Sequence, residues 1–205
     1  MNTATPSTTA DAPTQRRLVI ISGPAGVGKG TVEARMLQDH PEVWVSVSAT
    51  TRAPRPGEVD GVNYHFMTDS DFVAMQERGG FLETAVVHGM ARYGTPLQPV
   101  LDHLAQGVPT LLEIDIQGVR RVRERASELG LEILTVFIAP PSFDELVRRL
   151  AGRGTETAQQ QERRLQTARV ELAAEDEFDV VIVNDEVDRA AEQLWQLMAQ
   201  EYDIK

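Results

Sequence analysis

Apolar residues in this chain gather into four short runs: Leu18-Val19-Ile20-Ile21, Pro109 to Ile114, Ile133 to Ile138, and Val180-Val181-Ile182-Val183. Such short runs read as parallel strands, and Leu18–Ile21, β-branched and ending at Ser22, reads as one that is fully buried. A helix-like segment follows each run, near 32–40, 116–129, 142–151 and 186–200. Strand–helix alternation of this kind predicts an α/β fold, a parallel sheet flanked by helices on both faces. Ligands of such sheets bind beyond the carboxyl ends of the strands, where Gly23–Lys29, Asp115 and Asn184 fall.

Two stretches break the rhythm. Residues 46–96 are polar, with turn signals at Pro54, Pro56-Gly57, Asp60-Gly61 and Gly79-Gly80, and with strand-like pieces around 62–67 and 81–87. They read as a small inserted α+β subdomain. Residues 140–170 are rich in arginine around a flexible Gly152-Arg153-Gly154 and read as a second insertion. Residues 1–15 are Thr/Ala/Pro/Ser-rich, with neither the apolar core nor the arginine-rich amphipathic pattern of an address signal, and read as a disordered tail before a domain of 16–200.

Composition narrows the chemistry. At 205 residues and 41% hydrophobic content the chain supports one core with insertions. It has no cysteine, so thiolate catalysis and cysteine-ligated zinc are excluded, and His40, His65, His88 and His103 lack metal-ligand spacing. A net charge of −11 speaks against a nucleic-acid partner, and no apolar run approaches a membrane span. A cytoplasmic location is expected. Glu171, Glu175, Asp176, Glu177, Asp179, Asp185, Glu186 and Asp188 form an acidic stretch that reads as a solvated helix end and loop.

Against that background one cation stands out. Lys29 is the only lysine before the last residue, and it lies in Gly23-Pro24-Ala25-Gly26-Val27-Gly28-Lys29-Gly30-Thr31. A strand, a glycine-rich turn and a helix in that order form a cradle of backbone N–H groups for a nucleotide phosphate, with the lysine as a mobile point charge. The common motif closes with a Ser/Thr whose hydroxyl holds Mg²⁺, whereas this chain has Gly30. The metal would then rest on phosphate oxygens and water, with Glu113 the carboxylate available to it. Thr31 could contact an α-phosphate instead, as in adenylate kinases, whose phosphate loop the Gly-Lys-Gly-Thr sequence resembles.

A second anion site is signalled by Arg52 and Arg55, three apart and held between prolines. The surrounding Ser46-Val47-Ser48-Ala49-Thr50-Thr51-Arg52-Ala53-Pro54-Arg55 is followed in order by Gly61-x-x-Tyr64-x-Phe66, Phe81-Leu82-Glu83 and Tyr93-Gly94-Thr95. Further on come Ile114-Asp115-x-Gln117-Gly118, Pro140-Pro141-Ser142, Arg149-Leu150-x-Gly152-Arg153-Gly154 and Val183-Asn184-Asp185. Over residues 17–200 this set resembles the guanylate kinases, which transfer the γ-phosphoryl group of ATP to GMP.

The resemblance implies a phosphate-loop NTPase-type fold in which 46–96 binds GMP and 140–170 forms a lid. It implies ATP on Gly23 to Thr31 and Asn184, and the GMP phosphate on Arg52, Arg55, Tyr64 and Tyr93. Guanine would be read by Ser48, Glu83, Thr95 and Asp115, and Arg149, Arg153 and Arg164 would be the lid arginines acting with Lys29 in catalysis. The residue types agree, because guanine's N1–H and N2–H₂ donors suit ionised carboxylates and its O6 suits a hydroxyl. The family commonly has Asp-Ile-Asp where this chain has Glu113-Ile114-Asp115, so Glu113 carries its charge one methylene further out. Arg148 and Arg163, and the group Arg120, Arg121, Arg123 and Arg125, read as surface. Two alternatives remain: another nucleoside-monophosphate kinase, supported by Gly30-Thr31 alone, and a non-catalytic binding module, opposed by the intact Lys29 and lid arginines.

Overall fold

The computed structural model describes residues 17–87, 91–151 and 158–204, with side chains for 17–86, 91–150 and 165–204. The stretch 1–15 lies outside the described residues. In chain order the first elements are β1 (Leu18–Ser22), α1 (Lys29–Asp39), β2 (Trp44–Val45), β3 (Ala49–Thr50), β4 (His65–Phe66), α2 (Asp69–Glu77), β5 (Phe81–Val87) and β6 (Ala91–Pro96). Then follow α3 (Leu97–Ala105), β7 (Thr110–Glu113), α4 (Ile116–Leu129), β8 (Ile133–Ala139), α5 (Phe143–Ala151), α6 (Ala158–Leu172), β9 (Val180–Val183) and α7 (Val187–Glu201).

The main sheet has the order β2-β7-β1-β8-β9, with every pairing parallel. Its central strand β1 is fully buried, and its alternation divides the core. Val19 and Ile21 join Val32 and Met36 of α1 and Leu194 and Met198 of α7 on one face. Leu18 and Ile20 join Val119 and Val122 of α4, Val100 of α3 and Leu82 of β5 on the other. Each such side chain contributes roughly 1.5–3 kcal/mol of burial, which explains an uninterrupted apolar run with no polar face. The sheet is closed at its end by Tyr202, whose hydroxyl donates to the Arg17 carbonyl and accepts from Thr110 N, both at 3.1 Å.

A second sheet, β4-β3-β6-β5, is built wholly from residues between Ala49 and Pro96. It pairs β3 with β6 and β6 with β5 antiparallel, over Phe72 and Phe81 stacked at 4.4 Å. Leu82 inserts into the main core, so the next residue of the pleat, Glu83, faces the opposite way. The strand expected around 62–67 is reduced to His65–Phe66, because Asp60 Oδ1 takes Phe66 N and Gly61 N donates to the Tyr64 carbonyl, which closes residues 60–64 into a turn.

The acidic stretch is a largely exposed helix end and loop, as expected, and several of its carboxylates are also tied to neighbours. Asp179 Oδ2 accepts from Thr135 N and Oγ1 at 2.8 and 2.7 Å, and Glu177 pairs with Arg120. Asp185 pairs with Arg189, and Asp188 pairs with Arg35 at 2.6 Å. Arg120 and Arg35 come from other elements, whereas Arg189 lies four residues beyond Asp185.

Candidate active site

The chain leaves β1 through Gly23, whose φ of +146° and position against β8 leave no room for a side chain. A Cβ there would lie 2.3 Å from the Ile138 carbonyl oxygen, a backbone atom that cannot swing aside. Gly23→Ala is accordingly expected to cost about 2–4 kcal/mol of stability, read as a lowered urea midpoint, whereas an unchanged midpoint would show that the loop relaxes freely. Gly28, at φ +97°, caps α1, and its Cα packs on Asn184, whose Nδ2 would be 2.7 Å from an added Cβ.

The loop is held from behind by two residues. Asn184 Nδ2 donates to the Val27 carbonyl at 2.8 Å, and Arg149 Nη1 donates to the same oxygen at 3.1 Å. Arg149 Nη2 reaches the Asn184 carbonyl at 3.1 Å and Nε reaches Glu145 at 3.0 Å. The loop opens on a cleft of about 560 Å³ that Gly28, Lys29, Thr31, Glu113, Arg149 and Asn184 help to line. Lys29 Nζ lies over the loop, 2.8 Å from the Gly23 carbonyl and 3.3 Å from that of Pro24. Burial pulls its pKa down, while Glu113, Glu171 and Asp115 oppose that shift.

Two carboxylates here were not singled out by the sequence. Glu171, on α6, accepts from Ala25 N at 3.1 Å, so a side chain read as part of a solvated run sits on the phosphate loop. Glu33, one turn into α1, shares a hydrogen bond with Glu113, and burial together with that neighbouring carboxylate pushes its carboxyl up to about 7. A carboxyl raised in the folded state contributes stability that is complete below its unfolded pKa and is lost as pH rises through the folded value. Glu33→Gln is therefore expected to be more stable than the wild type by about 1–2 kcal/mol at pH 8.5 and equal to it near pH 4, in buffer without metal or nucleotide. Parallel pH–stability curves for the two proteins would contradict the pair.

The position left bare by Gly30 is relevant to magnesium. A Cβ at Gly30 would lie 3.7 Å from Glu113 Oε2, so a carboxylate oxygen stands close to where the motif's hydroxyl would be. Among the described residues no group of three or more acidic or histidine side chains is assembled as a metal site. Glu113 Oε2, next to that space, is an oxygen donor of the kind magnesium takes.

A second cleft of about 180 Å³ adjoins the first, and Ser48, Tyr64, Glu83, Tyr93, Glu113 and Asp115 line it. Glu113, at the end of β7, borders both clefts. Glu83 is nearly buried, and its Oε1 accepts from Thr95 Oγ1 at 3.2 Å. Thr95 is itself fully buried behind Glu83. Asp115 caps α4, its Oδ1 accepting from Gly118 N at 2.6 Å, which leaves Oδ2 for other partners. At the far wall, Arg52 makes a two-pronged pair with Glu58 at 2.8 and 2.9 Å, donates to Tyr93 Oη at 3.2 Å, and lies over the Tyr64 ring. That pairing, with Arg55 N also donating to Glu58 at 2.7 Å, holds the Glu58 carboxyl down at about 2. The Arg55 side chain is exposed and makes no ion pair among the described residues.

Of the lid arginines, only Arg149 is placed. Arg153 lies outside the described residues, as does the side chain of Arg164, whose backbone is on α6. Arg148 is exposed, as its sequence context suggests. Arg121 corrects the reading of its helix as a surface row: it points to Glu83, because α4 packs its face against β5. Helical spacing could have placed it beside Val122, but no local signal named its partner.

A parallel sheet whose first strand runs through a glycine loop into a helix, with a single lysine on that loop, defines a phosphate-loop α/β kinase fold. The guanylate kinase family model matches residues 15–201, and the chain belongs to that family. It is 70% identical over 188 residues to a guanylate kinase of Bifidobacterium longum, covering 92% of this chain and 96% of that protein. A guanylate kinase of Frankia casuarinae is 58% identical over 181 residues, covering 88% and 96%. The crystal structure of guanylate kinase from Anaplasma phagocytophilum superposes with a TM-score of 0.72 at 31% identity, covering 92% of this chain and 87% of that one.

Proposed function

We propose that this protein transfers the γ-phosphoryl group of ATP to GMP, and also to dGMP, giving ADP and GDP or dGDP. The observation that carries this reading is the meeting of two unlike clefts at Glu113, one floored by the phosphate loop and the other walled by carboxylates and by Tyr64 and Tyr93, the latter bonded to Arg52. ATP sits in the first, with its β- and γ-phosphates on the N–H groups of Gly26 to Lys29 and on the Lys29 ammonium, Thr31 near the α-phosphate and Asn184 supporting the loop. GMP sits in the second, its phosphate on Arg52, Arg55, Tyr64 and Tyr93 and its base on Ser48, Glu83 and Asp115, with Thr95 holding Glu83. Residues 46–96 are thus the monophosphate-binding unit and 140–170 the lid.

An oxygen of the GMP phosphate attacks the γ-phosphorus as the bond to the β–γ bridging oxygen breaks, and ADP leaves with that electron pair. The nucleophile is already anionic, so no side chain need act as general base. Lys29 and Arg149, joined by Arg153 and Arg164, neutralise charge on the moving group, and closure of the lid excludes water. Magnesium, held by phosphate oxygens and water with Glu113 as the adjacent carboxylate, would add further neutralisation. A cytoplasmic place goes with this reading, since both nucleotides are found there; no helix among the described residues is long and apolar enough to cross a membrane.

The test is ADP release from Mg-ATP with GMP, dGMP, AMP, CMP or UMP as acceptor. Turnover is expected with the two guanine nucleotides. Absence of turnover with GMP would sink the proposal, and a preference for AMP would make this a different monophosphate kinase.

A further inference from the structure

The four arginines of α4 do not behave alike. Arg120 pairs with Glu177, Arg123 reaches Thr135 Oγ1 and the Glu177 carbonyl, and Arg125 pairs with Glu128. Arg121 alone turns to the second cleft. Its Nη2 lies 3.4 Å from Glu83 Oε2 and 3.8 Å from Asp115 Oδ1, so a single guanidinium spans both carboxylates. Its Nε is buried and finds no hydrogen-bond partner among the described residues. The side chain is therefore held through Nη2 alone, by its hydrogen bond to Glu83 and its charge on Asp115.

Glu83 needs such a neighbour. Its side chain is 6% exposed, and an isolated carboxylate in that setting takes up a proton. From the end of β7, Glu113 and Asp115 face the same cleft, Tyr64 and Tyr93 also line it, and Thr95 gives one hydrogen bond. Burial raises the Glu83 pKa, and Arg121 is the foremost opposing influence.

We propose that Arg121 is a positioning residue of the base site, fixing the spacing of the Glu83 and Asp115 carboxylates and keeping Glu83 an ionised acceptor for a purine edge bearing N1–H and N2–H₂. The proposal rests on the assignment of this cleft to guanine made above. Arg121 touches no reacting atom in this scheme; it acts through the two carboxylates. Losing it would weaken GMP binding while leaving the ATP cleft as it is.

The test compares wild type with the neutral variants Arg121→Met and Arg121→Gln and the charge-keeping Arg121→Lys. KM and kcat for GMP are measured across pH 5–8.5 at saturating Mg-ATP, and KM for ATP at neutral pH. In the neutral variants KM for GMP is expected to rise about ten-fold, with kcat within about two-fold and KM for ATP unchanged. The acidic limb of kcat/KM for GMP should move to higher pH by about one unit, because removing the cation favours the protonated carboxyl. Arg121→Lys should restore the limb and most of the KM. If wild type turns over GMP but the neutral variants keep its KM and acidic limb, the role of Arg121 falls and the guanine assignment stands. Should Arg121→Lys match the neutral variants, charge is not what matters, which also overturns the role. Failure of wild type to use GMP at any pH removes the guanine assignment itself, and this role with it.

Discussion

Replacing Lys29 by alanine is expected to lower kcat by about 10³-fold while leaving the fold intact. Among the described residues the side chain donates only to the Gly23 and Pro24 carbonyls of its own loop, and burial depresses its pKa despite three nearby carboxylates. Its charge is thus held at a cost to the free protein, which makes sense only if a stronger anion arrives. Removing it should move the melting temperature little. Lys29→Arg should recover less than about ten-fold, because a planar guanidinium cannot sit as a point charge within reach of both loop carbonyls. Steady-state turnover with Mg-ATP and GMP checks both variants, and near wild-type kcat in Lys29→Ala would remove the loop from the chemistry.

Glu83→Gln is expected to lower kcat/KM for GMP by about 10³-fold, with KM for ATP unchanged. The Glu83 carboxylate accepts from Thr95 on one oxygen and from Arg121 on the other, so its orientation is fixed from two sides. An amide in that place sets an N–H₂ donor against a base edge that also offers donors, and it leaves the Arg121 guanidinium with one carboxylate instead of two. Loss of an acceptor and gain of a misplaced donor act together. A Glu83→Gln protein with wild-type KM for GMP would mean that the base is read elsewhere.

What the sequence made legible follows from the length of the signals. Val180–Val183 is found where its apolar run places it, although as the edge strand it leaves Val181 and Val183 exposed, and α4 occupies 116–129 as its pattern suggests, since a helix buried on one face writes that face into its sequence. Strands β2 and β3 have two residues each, too few for any period to register, and their pairing is set by β7 and β6. Lys29 and its glycines were legible because a local backbone shape demands them. Glu33, Arg121 and Glu171 were not, because each takes its meaning from a partner on a different element: Glu113, Glu83 and Ala25 N respectively. Gly30 was noticed as a missing hydroxyl, but only the fold shows that Glu113 Oε2 stands next to the space.

Direct transfer between nucleotides held in adjoining clefts, the reaction proposed for this protein, is tested most directly by following the label from [γ-³²P]ATP in the presence of GMP and magnesium. Direct transfer predicts that the label appears in the β-phosphate of GDP in a one-to-one ratio with ADP formed, and that none is released when GMP is omitted. Label released as inorganic phosphate at the same rate with or without GMP would contradict it.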